Sequence, residues 1–382
     1  MGKSLENRVC VILPTFNRAD LISETIESLL SQTRPIHDIL VIDDGSTDDT
    51  AERVAAFGNK VRYHKKENGG KAAALNLGLR MTNAEFVWIC DDDDLLLPNA
   101  CDRIMSEFEA NPTLDYCAGT HQDFYVDPST GEKVITEASY VRWSSPTEIF
   151  RVALDGCNIW QPGLIVRRAV YDSVGEFDEA LIRSQDYEML LRVSRAYKGL
   201  FLQEPVFLHR EHKGERGSAA ERFPIEEANH RWIEYNRSIV KPLLAELSDQ
   251  ELLSPENWAQ ATLDGTEHRL ATIRRGAILG RHGMWAEAIA TWTSLREGQG
   301  GTLGDLEVQM VRESTIHSLS CQPLLASADM QDALQGLKSS SPLGRQIVKQ
   351  LGSSVLWRLK KAAMGGKVHD VLTLTRFVAT SF

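Results

Sequence analysis

A chain of 382 residues with 42% hydrophobic and 25% charged side chains falls in the ordinary globular range and, at about 150 residues per domain, holds two or three domains. Lys and Arg number 42 against 53 Asp and Glu, so the net charge of −11 excludes a general affinity for nucleic-acid phosphate and leaves room for a local basic patch on a small anion. No CxxC pair occurs among the six cysteines and no run of about 18 apolar residues is present, which argues against a zinc or disulfide framework and against a membrane span, and predicts a cytoplasmic protein with reduced, buried thiols.

Val9-Cys10-Val11-Ile12-Leu13 reads as a buried strand. Leu21, Ile22, Thr25, Ile26, Leu29 and Leu30 then recur at helical spacing, which predicts an amphipathic helix over 19–32, closed by Pro35. Asp38 to Ile42 is a second strand, and Gly45-Ser46-Thr47 turns into a helix with Asp48 and Asp49 in its first turn, where the helix dipole favours them. Val61 to His64 is a short third strand. Asn68-Gly69-Gly70 opens a helix over Lys71 to Arg80, and the strand Phe86 to Cys90 runs directly into Asp91-Asp92-Asp93-Asp94. Further strands are expected near 115–118 and 164–166, with a hairpin turn at Asp127 to Gly131. This alternation predicts an α/β fold, a mostly parallel sheet sandwiched by helices, over residues 1–222.

From 223 to 382 the pattern is helical, with segments near 225–247, 267–281, 284–296 and 305–318. One piece, Arg275 to Gly280 followed by Trp285 to Ile289, looks like a single tetratricopeptide-type helix-turn-helix without a second copy. The tail 345–382 carries seven Lys or Arg against Asp370 alone. It reads first as a solvated basic helix packed on its neighbour, and second as attachment to an anionic membrane surface. A homodimer through the helical region is a further expectation.

Ligands of an open parallel sheet bind beyond the carboxyl ends of its strands. Three strand ends carry polar clusters: Pro14-Thr15-Phe16-Asn17-Arg18, Asp43-Asp44-Gly45-Ser46, and the four aspartates. Adjacent carboxylates repel one another, and a divalent cation would relieve that while gathering phosphate oxygens; oxygen-only ligands imply Mg²⁺ or Mn²⁺. Alone, the acidic run is equally an exposed loop or a helix cap, and Asp43 and Asp44 have turn formation before Gly45 as their usual role, with hydrogen bonding to a base or ribose as the functional alternative. Asn68-Gly69-Gly70-Lys71 resembles a phosphate cradle, but the GxxxxGK[ST] spacing of a P-loop is absent, as is the GxGxxG of a nicotinamide-binding fold.

Taken together, the Pro14–Arg18 end, Val41 to Asp48, Asn68-Gly69-Gly70 with Ala74 and Asn76, and Asp91–Asp94 before Pro98 resemble the family 2 glycosyltransferases of GT-A fold over about residues 8 to 215. The resemblance implies an inverting enzyme that moves a sugar from a nucleotide-diphosphate donor, usually a UDP-sugar, to a hydroxyl of a saccharide, lipid-linked glycan or protein, by analogy in bacterial surface-polysaccharide or glycoconjugate assembly at the inner face of the membrane. It assigns the nucleotide-sugar to Pro14, Thr15, Asn17, Arg18, Asp43, Asp44, Ser46, Asn68, Lys71, Asn76, Asp91 and Asp92, and makes Asp91 and Asp93 the Asp-x-Asp carboxylates, with Asp93 on the metal. The run of four leaves the register open by one residue, so Asp92 or Asp94 could exchange roles with it.

Downstream, Ser184-Gln185-Asp186-Tyr187-Glu188 resembles the family segment with the catalytic base, matched by Asp186; Gln185 replaces the usual glutamate, which puts acceptor binding in question. A helix cap is the alternative for Asp186. His212 matches a family histidine near the diphosphate and metal better than His209 does, and Trp160, Gln161 and Gln185 are assigned to the acceptor. Two rivals remain: a nucleotidyltransferase, for which a glycine-rich, arginine-containing loop should follow the first strand, and a non-catalytic scaffold.

Overall fold

The computed structural model describes residues 9–36, 38–136, 147–211, 216–217, 222–223, 225–295, 301–316 and 318–382. The chain divides into two compact units, Met1–Ala153 with Cys157–Ala228, and Leu154–Gly156 with Asn229–Phe382. All six cysteines are free thiols, and all but Cys157 are buried.

The first unit runs β1 (Val9–Thr15), α1 (Ile22–Leu30), β2 (Asp38–Asp43), α2 (Thr50–Ala55), β3 (Arg62–Lys65), α3 (Lys71–Met81), β4 (Phe86–Ile89), β5 (Leu95–Leu96), α4 (Ala100–Ala110), β6 (Tyr116–Val126), β7 (Lys133–Ile135), α5 (Ile149–Ala153), β8 (Leu164–Arg167), α6 (Arg168–Val174), α7 (Gln185–Ala196), β9 (Gly199–Arg210), β10 (Arg216–Gly217) and β11 (Arg222–Phe223). Nine strands form one sheet in the order β3-β2-β1-β4-β8-β6-β9-β5, with β7 paired to β6. Every residue of β1 and β4 is buried, which matches their unbroken apolar runs: a parallel strand covered on both faces has no polar side to show. Helix α1 buries Ile22, Thr25, Ile26 and Leu29, the one stripe its spacing provides.

Strands β3, β2, β1 and β4 are mutually parallel, so their carboxyl ends emerge on one rim. The other half is mixed. Strand β8 runs antiparallel to both β4 and β6, and β9 runs parallel to β6. The pair β5–β9 is antiparallel, with Leu95 opposite Leu208, and this register sets the acid run just before β5 beside the end of β9. The expected hairpin joins β6 to β7 through Asp127, whose carboxylate accepts the Ser129 N–H at 2.7 Å.

The second unit is helical: α8 (Ile225–Glu246), α9 (Asp249–Leu252), α10 (Pro255–Asp264), α11 (Glu267–Arg281), α12 (Trp285–Thr293), α13 (Asp305–Glu313), α14 (Ser318–Ala326), α15 (Ala328–Ser340), α16 (Pro342–Ser354), α17 (Leu356–Met364) and α18 (Val368–Ser381). The helix-turn-helix expected around 275–289 is α11–α12, in which Trp285 and Trp292 are buried. The single helix expected over 305–318 instead stops at Glu313. There Ser314 and Thr315 donate their hydroxyls back to the Val311 and Arg312 carbonyls, and such local bonds compete with helix continuation. Among the described residues no helix is long and apolar enough to cross a membrane.

Candidate active site

A cavity of about 260 Å³ lies in the first unit at the rim where β1, β2 and β4 end. Pro14, Thr15, Phe16 and Arg18 line it from β1, Asp44 from β2, Asn68, Gly70 and Lys71 from the start of α3, and Asp91 to Asp94 from β4. Trp160, Gln185, His209 and Arg210 face them. The three strand ends singled out by their polar residues therefore do meet.

The β2 turn separates two adjacent carboxylates by role. Asp43 is fully buried; its Oδ1 accepts the Ser46 N–H at 2.7 Å and its Oδ2 the Tyr63 hydroxyl. It lies off the cavity wall, and each of its oxygens already accepts one hydrogen bond within the turn and from β3. Gly45 holds φ +88° here, and a Cβ would stand 3.0 Å from the Asn68 nitrogen. Asp44, 4% exposed, is on the wall and takes Lys66 Nζ at 2.6 Å, the Gly69 N–H at 2.9 Å and the Gly70 N–H at 2.7 Å. One carboxylate thus fastens the whole loop that opens α3, and Asn68 adds a bond to the Asp44 carbonyl at 2.8 Å.

Three further assigned residues, Asn17, Ser46 and Asn76, make structural bonds on the same side and are not on the wall. Asn17, at φ +52°, accepts the Thr47 N–H at 2.7 Å and donates its own N–H to Ser46 Oγ at 2.9 Å, so Asn17 and Ser46 bond to each other's loops and neither lines the cavity. Asn76 is 1% exposed and clamps a distant segment, accepting the Phe177 N–H at 2.8 Å and donating to the Phe177 carbonyl at 3.0 Å and Glu179 at 2.9 Å. It faces away from the cavity because α3 turns this position into the core.

The acid run sets four carboxyl groups against two paired cations. Lys71 pairs with Asp91, while Arg18 stands 3.8 Å from both Asp92 and Asp93. Burial works against the Lys71 ammonium, yet Asp91, Asp186 and Asp93 more than offset it and raise it above the usual lysine range. Burial, and then the Asp93 charge, push Asp92 up to about 7; the same two causes raise Asp94 well above a normal carboxylate. Asp94 also accepts the Arg210 N–H at 2.9 Å. These are hard oxygen donors crowded into a partly buried site, which suits Mg²⁺ or Mn²⁺. Among the described residues no three His, Cys, Asp or Glu side chains form a closed cage. Mg²⁺ characteristically takes one or two carboxylates and completes its shell with phosphate oxygens and water, so the set fits that mode.

On the opposite wall, Trp160 stacks on His121 at 4.4 Å and meets His209 edge-on at 4.1 Å, with Asp123 3.6 Å from His121 and 3.9 Å from His209. Gln185, the first residue of α7, lines the cavity with its Oε1 buried and lacking a protein donor. Asp186 follows on the same first turn, half-buried, off the wall but near enough for its charge to act on Lys71 and the Cys157 thiol. Gln161, expected beside Trp160 in an acceptor site, is buried in the turn Gln161–Gly163 and is not on the wall. His212 lies outside the described residues.

Residues 10–174 match the family described as Glycosyl transferase family 2. The first unit belongs to that family. A Rickettsia conorii protein described as an uncharacterized glycosyltransferase is 28% identical over 267 residues, 65% of this chain and 40% of its own length. Its Rickettsia typhi counterpart is 26% identical over 61% of this chain and 73% of its own length. This chain therefore spans well under half of the first relative. Among solved structures, S. aureus TarS residues 1–349 in complex with UDP-GlcNAc gives a TM-score of 0.54 at 18% identity, covering 98% of this chain and 91% of that one, a likeness of fold.

Three wall residues of this glycosyltransferase unit escaped the sequence reading. Arg210 is 6% exposed, donates to the Asp93 carbonyl at 2.8 Å and to Glu24, and lies over Phe124 at 4.6 Å. A lone cation closing the apolar run Pro205–Leu208 was its only signal. Arg183 and Ile182 also line the cavity, two and three residues ahead of α7, with no periodicity to mark them.

Proposed function

We propose that the first unit transfers a sugar from a nucleotide-diphosphate donor to a hydroxyl acceptor with inversion, in glycoconjugate or surface-polysaccharide assembly. The observation that carries this reading is the gathering of Asp44, Lys71, Asp91–Asp94 and Gln185 around one cavity, with Asp186 on the adjacent turn. Asn68, on the loop that Asp44 fastens, holds the nucleoside end, and the acid run the diphosphate end. When bound through Asp93, a divalent ion supplies neutralisation of the charge that grows on the departing diphosphate. Arg18 and Lys71 keep the four carboxylates from repelling one another before the donor arrives. Asp186 takes the proton of the acceptor hydroxyl as its oxygen bonds to the anomeric carbon and the bond from that carbon to the diphosphate breaks. Gln185 Oε1 receives a hydrogen bond from the acceptor, and the Trp160 ring gives a sugar an apolar face to lie on. Because TarS was crystallised with UDP-GlcNAc, a UDP-sugar is the donor to try first.

The test separates binding from turnover. Asp186→Asn is expected to hold a UDP-sugar within about twofold of the parent by calorimetry while transfer falls by about 10³. Full transfer by that variant overturns the base assignment. No heat with any nucleotide-sugar, in the presence or absence of Mn²⁺, overturns the reading as a whole.

A further inference from the structure

The helices α17 and α18 of the second unit leave an apolar and basic face without protein cover among the described residues. On α17, Trp357, Lys360, Lys361 and Met364 recur at helical spacing and are all exposed, Trp357 at 56% and Met364 at 81%. The turn at Gly365–Lys367 is exposed throughout. On α18, Val368 and Leu372 lie one turn apart at 70% and 65% exposure. The inward sides are occupied: Ala362, Leu374 and Phe377 are buried, and Arg358 donates to the Thr315 and Ile316 carbonyls. Scattered exposed apolar residues need no explanation, but four large ones grouped with three lysines in a chain of net charge −11 form a directed surface.

From this juxtaposition of Trp357, Met364, Val368 and Leu372 with Lys360, Lys361 and Lys367, we infer that the α17–α18 face docks onto an anionic lipid bilayer. Charge complementarity selects the occupant. A protein with eleven excess negative charges is repelled by an anionic bilayer except where its lysines gather, and Lys360, Lys361 and Lys367 stand among the exposed side chains from Trp357 to Leu372 that would enter the headgroup layer. Tryptophan suits that depth, with an apolar body and a polar N–H. No described helix spans a membrane, so contact by this face is peripheral.

The test is sedimentation of the full chain with vesicles of phosphatidylcholine alone or with about 30% phosphatidylglycerol. Pelleting is expected only with the anionic vesicles and is lost at about 0.5 M salt. Lys360→Gln with Lys361→Gln lowers the partition coefficient about 25-fold, near fivefold per lysine, and Leu372→Ser lowers it about tenfold. Leu263→Ser, at an exposed position of 83% elsewhere on the unit, leaves it unchanged. Circular dichroism of each variant verifies the fold. Three results overturn the inference: no pelleting at low salt, equal pelleting on neutral vesicles, or a dimer in velocity sedimentation that Leu372→Ser dissolves without any affinity for lipid, which would make a second copy the occupant.

Discussion

Replacing Asp44 by alanine tests the claim that one carboxylate fastens the loop between β3 and α3. The side chain is 6% exposed and receives two backbone N–H groups and the Lys66 ammonium. Hydrogen bonds to a charged acceptor contribute about 1.5–3 kcal/mol each. The Gly69 amide belongs to an exposed residue that water reaches once the loop lifts, and the Lys66 ammonium is itself 19% exposed, so the low end applies to the amides and little to the lysine. That gives about 3 kcal/mol, or roughly 100-fold in the equilibrium for loop opening. Hydrogen exchange of the peptide spanning 66–72 reads this directly, and calorimetry with UDP reads the consequence, because the same loop carries Asn68 and Lys71 onto the cavity wall. Exchange about 100-fold faster, with at least tenfold weaker nucleotide binding, is expected. Asp44→Asn retains one acceptor oxygen and falls between. If nucleotide affinity collapses while loop protection stays within about twofold, Asp44 touches the ligand and does not act through the loop.

Three further perturbations follow from the packing. Asn76→Ala removes three bonds to the Phe177–Glu179 segment and is expected to cost about 2–3 kcal/mol by thermal melting while leaving the Kd for UDP unchanged, which distinguishes a clamp from a ligand contact. In Gly276→Ala the new Cβ would stand 2.2 Å from Trp292 Nε1, where the buried indole bonds the Ile273 carbonyl; a loss of about 1–3 kcal/mol is expected, and a neutral melt refutes the tight packing of α11 on α12. Burial holds the His121 imidazole below the usual histidine range against the pull of Asp123. The unfolded chain therefore takes up this proton first, so stability is lost as pH falls below about 6.5, and His121→Phe should flatten that part of the urea-midpoint profile.

The parallel half of the sheet was legible at β1, β2 and β4 because each holds an unbroken apolar run stopped by polar residues, and those stops mark the rim. Which side chain of a stop faces the ligand was not. Asp43 and Asp44 are chemically identical neighbours, and only the positive φ at Gly45 and the partnering of Tyr63 and Lys66 decide that one is spent in the turn and the other fastens the α3 loop. Asn76 illustrates the same limit: a polar residue on an otherwise apolar helix face suits a ligand or a buried clamp, and the clamp partners lie a hundred residues on, beyond any periodicity. Arg210 depends on register. The pairing of Leu95 with Leu208 brings a guanidinium 117 positions away onto the Asp93 carbonyl.

Two non-glycine residues among those described have positive φ, Asn17 at 52° and Ser184 at 59°, and both adjoin the candidate site. Left-handed backbone costs a residue with a Cβ about 1–2 kcal/mol, so packing around each must over-determine it. Ser184 is the residue before α7, its backbone carbonyl accepting the Glu188 N–H at 2.9 Å, and directly precedes Gln185 and Asp186. Its dihedrals set the direction in which the first turn presents both side chains. Ser184→Gly relieves the strain but enlarges the unfolded ensemble by a comparable amount, so stability should stay within about 0.5 kcal/mol. What changes is definition: a glycine there lets the turn sample other directions, and a base misplaced by an ångström loses much of its effect. Turnover should therefore fall about tenfold with the donor Kd unchanged. Ser184→Val, which resists positive φ, should instead destabilise by about 1–3 kcal/mol. Parental turnover in the glycine variant would show that the geometry at Ser184 is incidental, and that whatever orients Asp186 lies further along the helix.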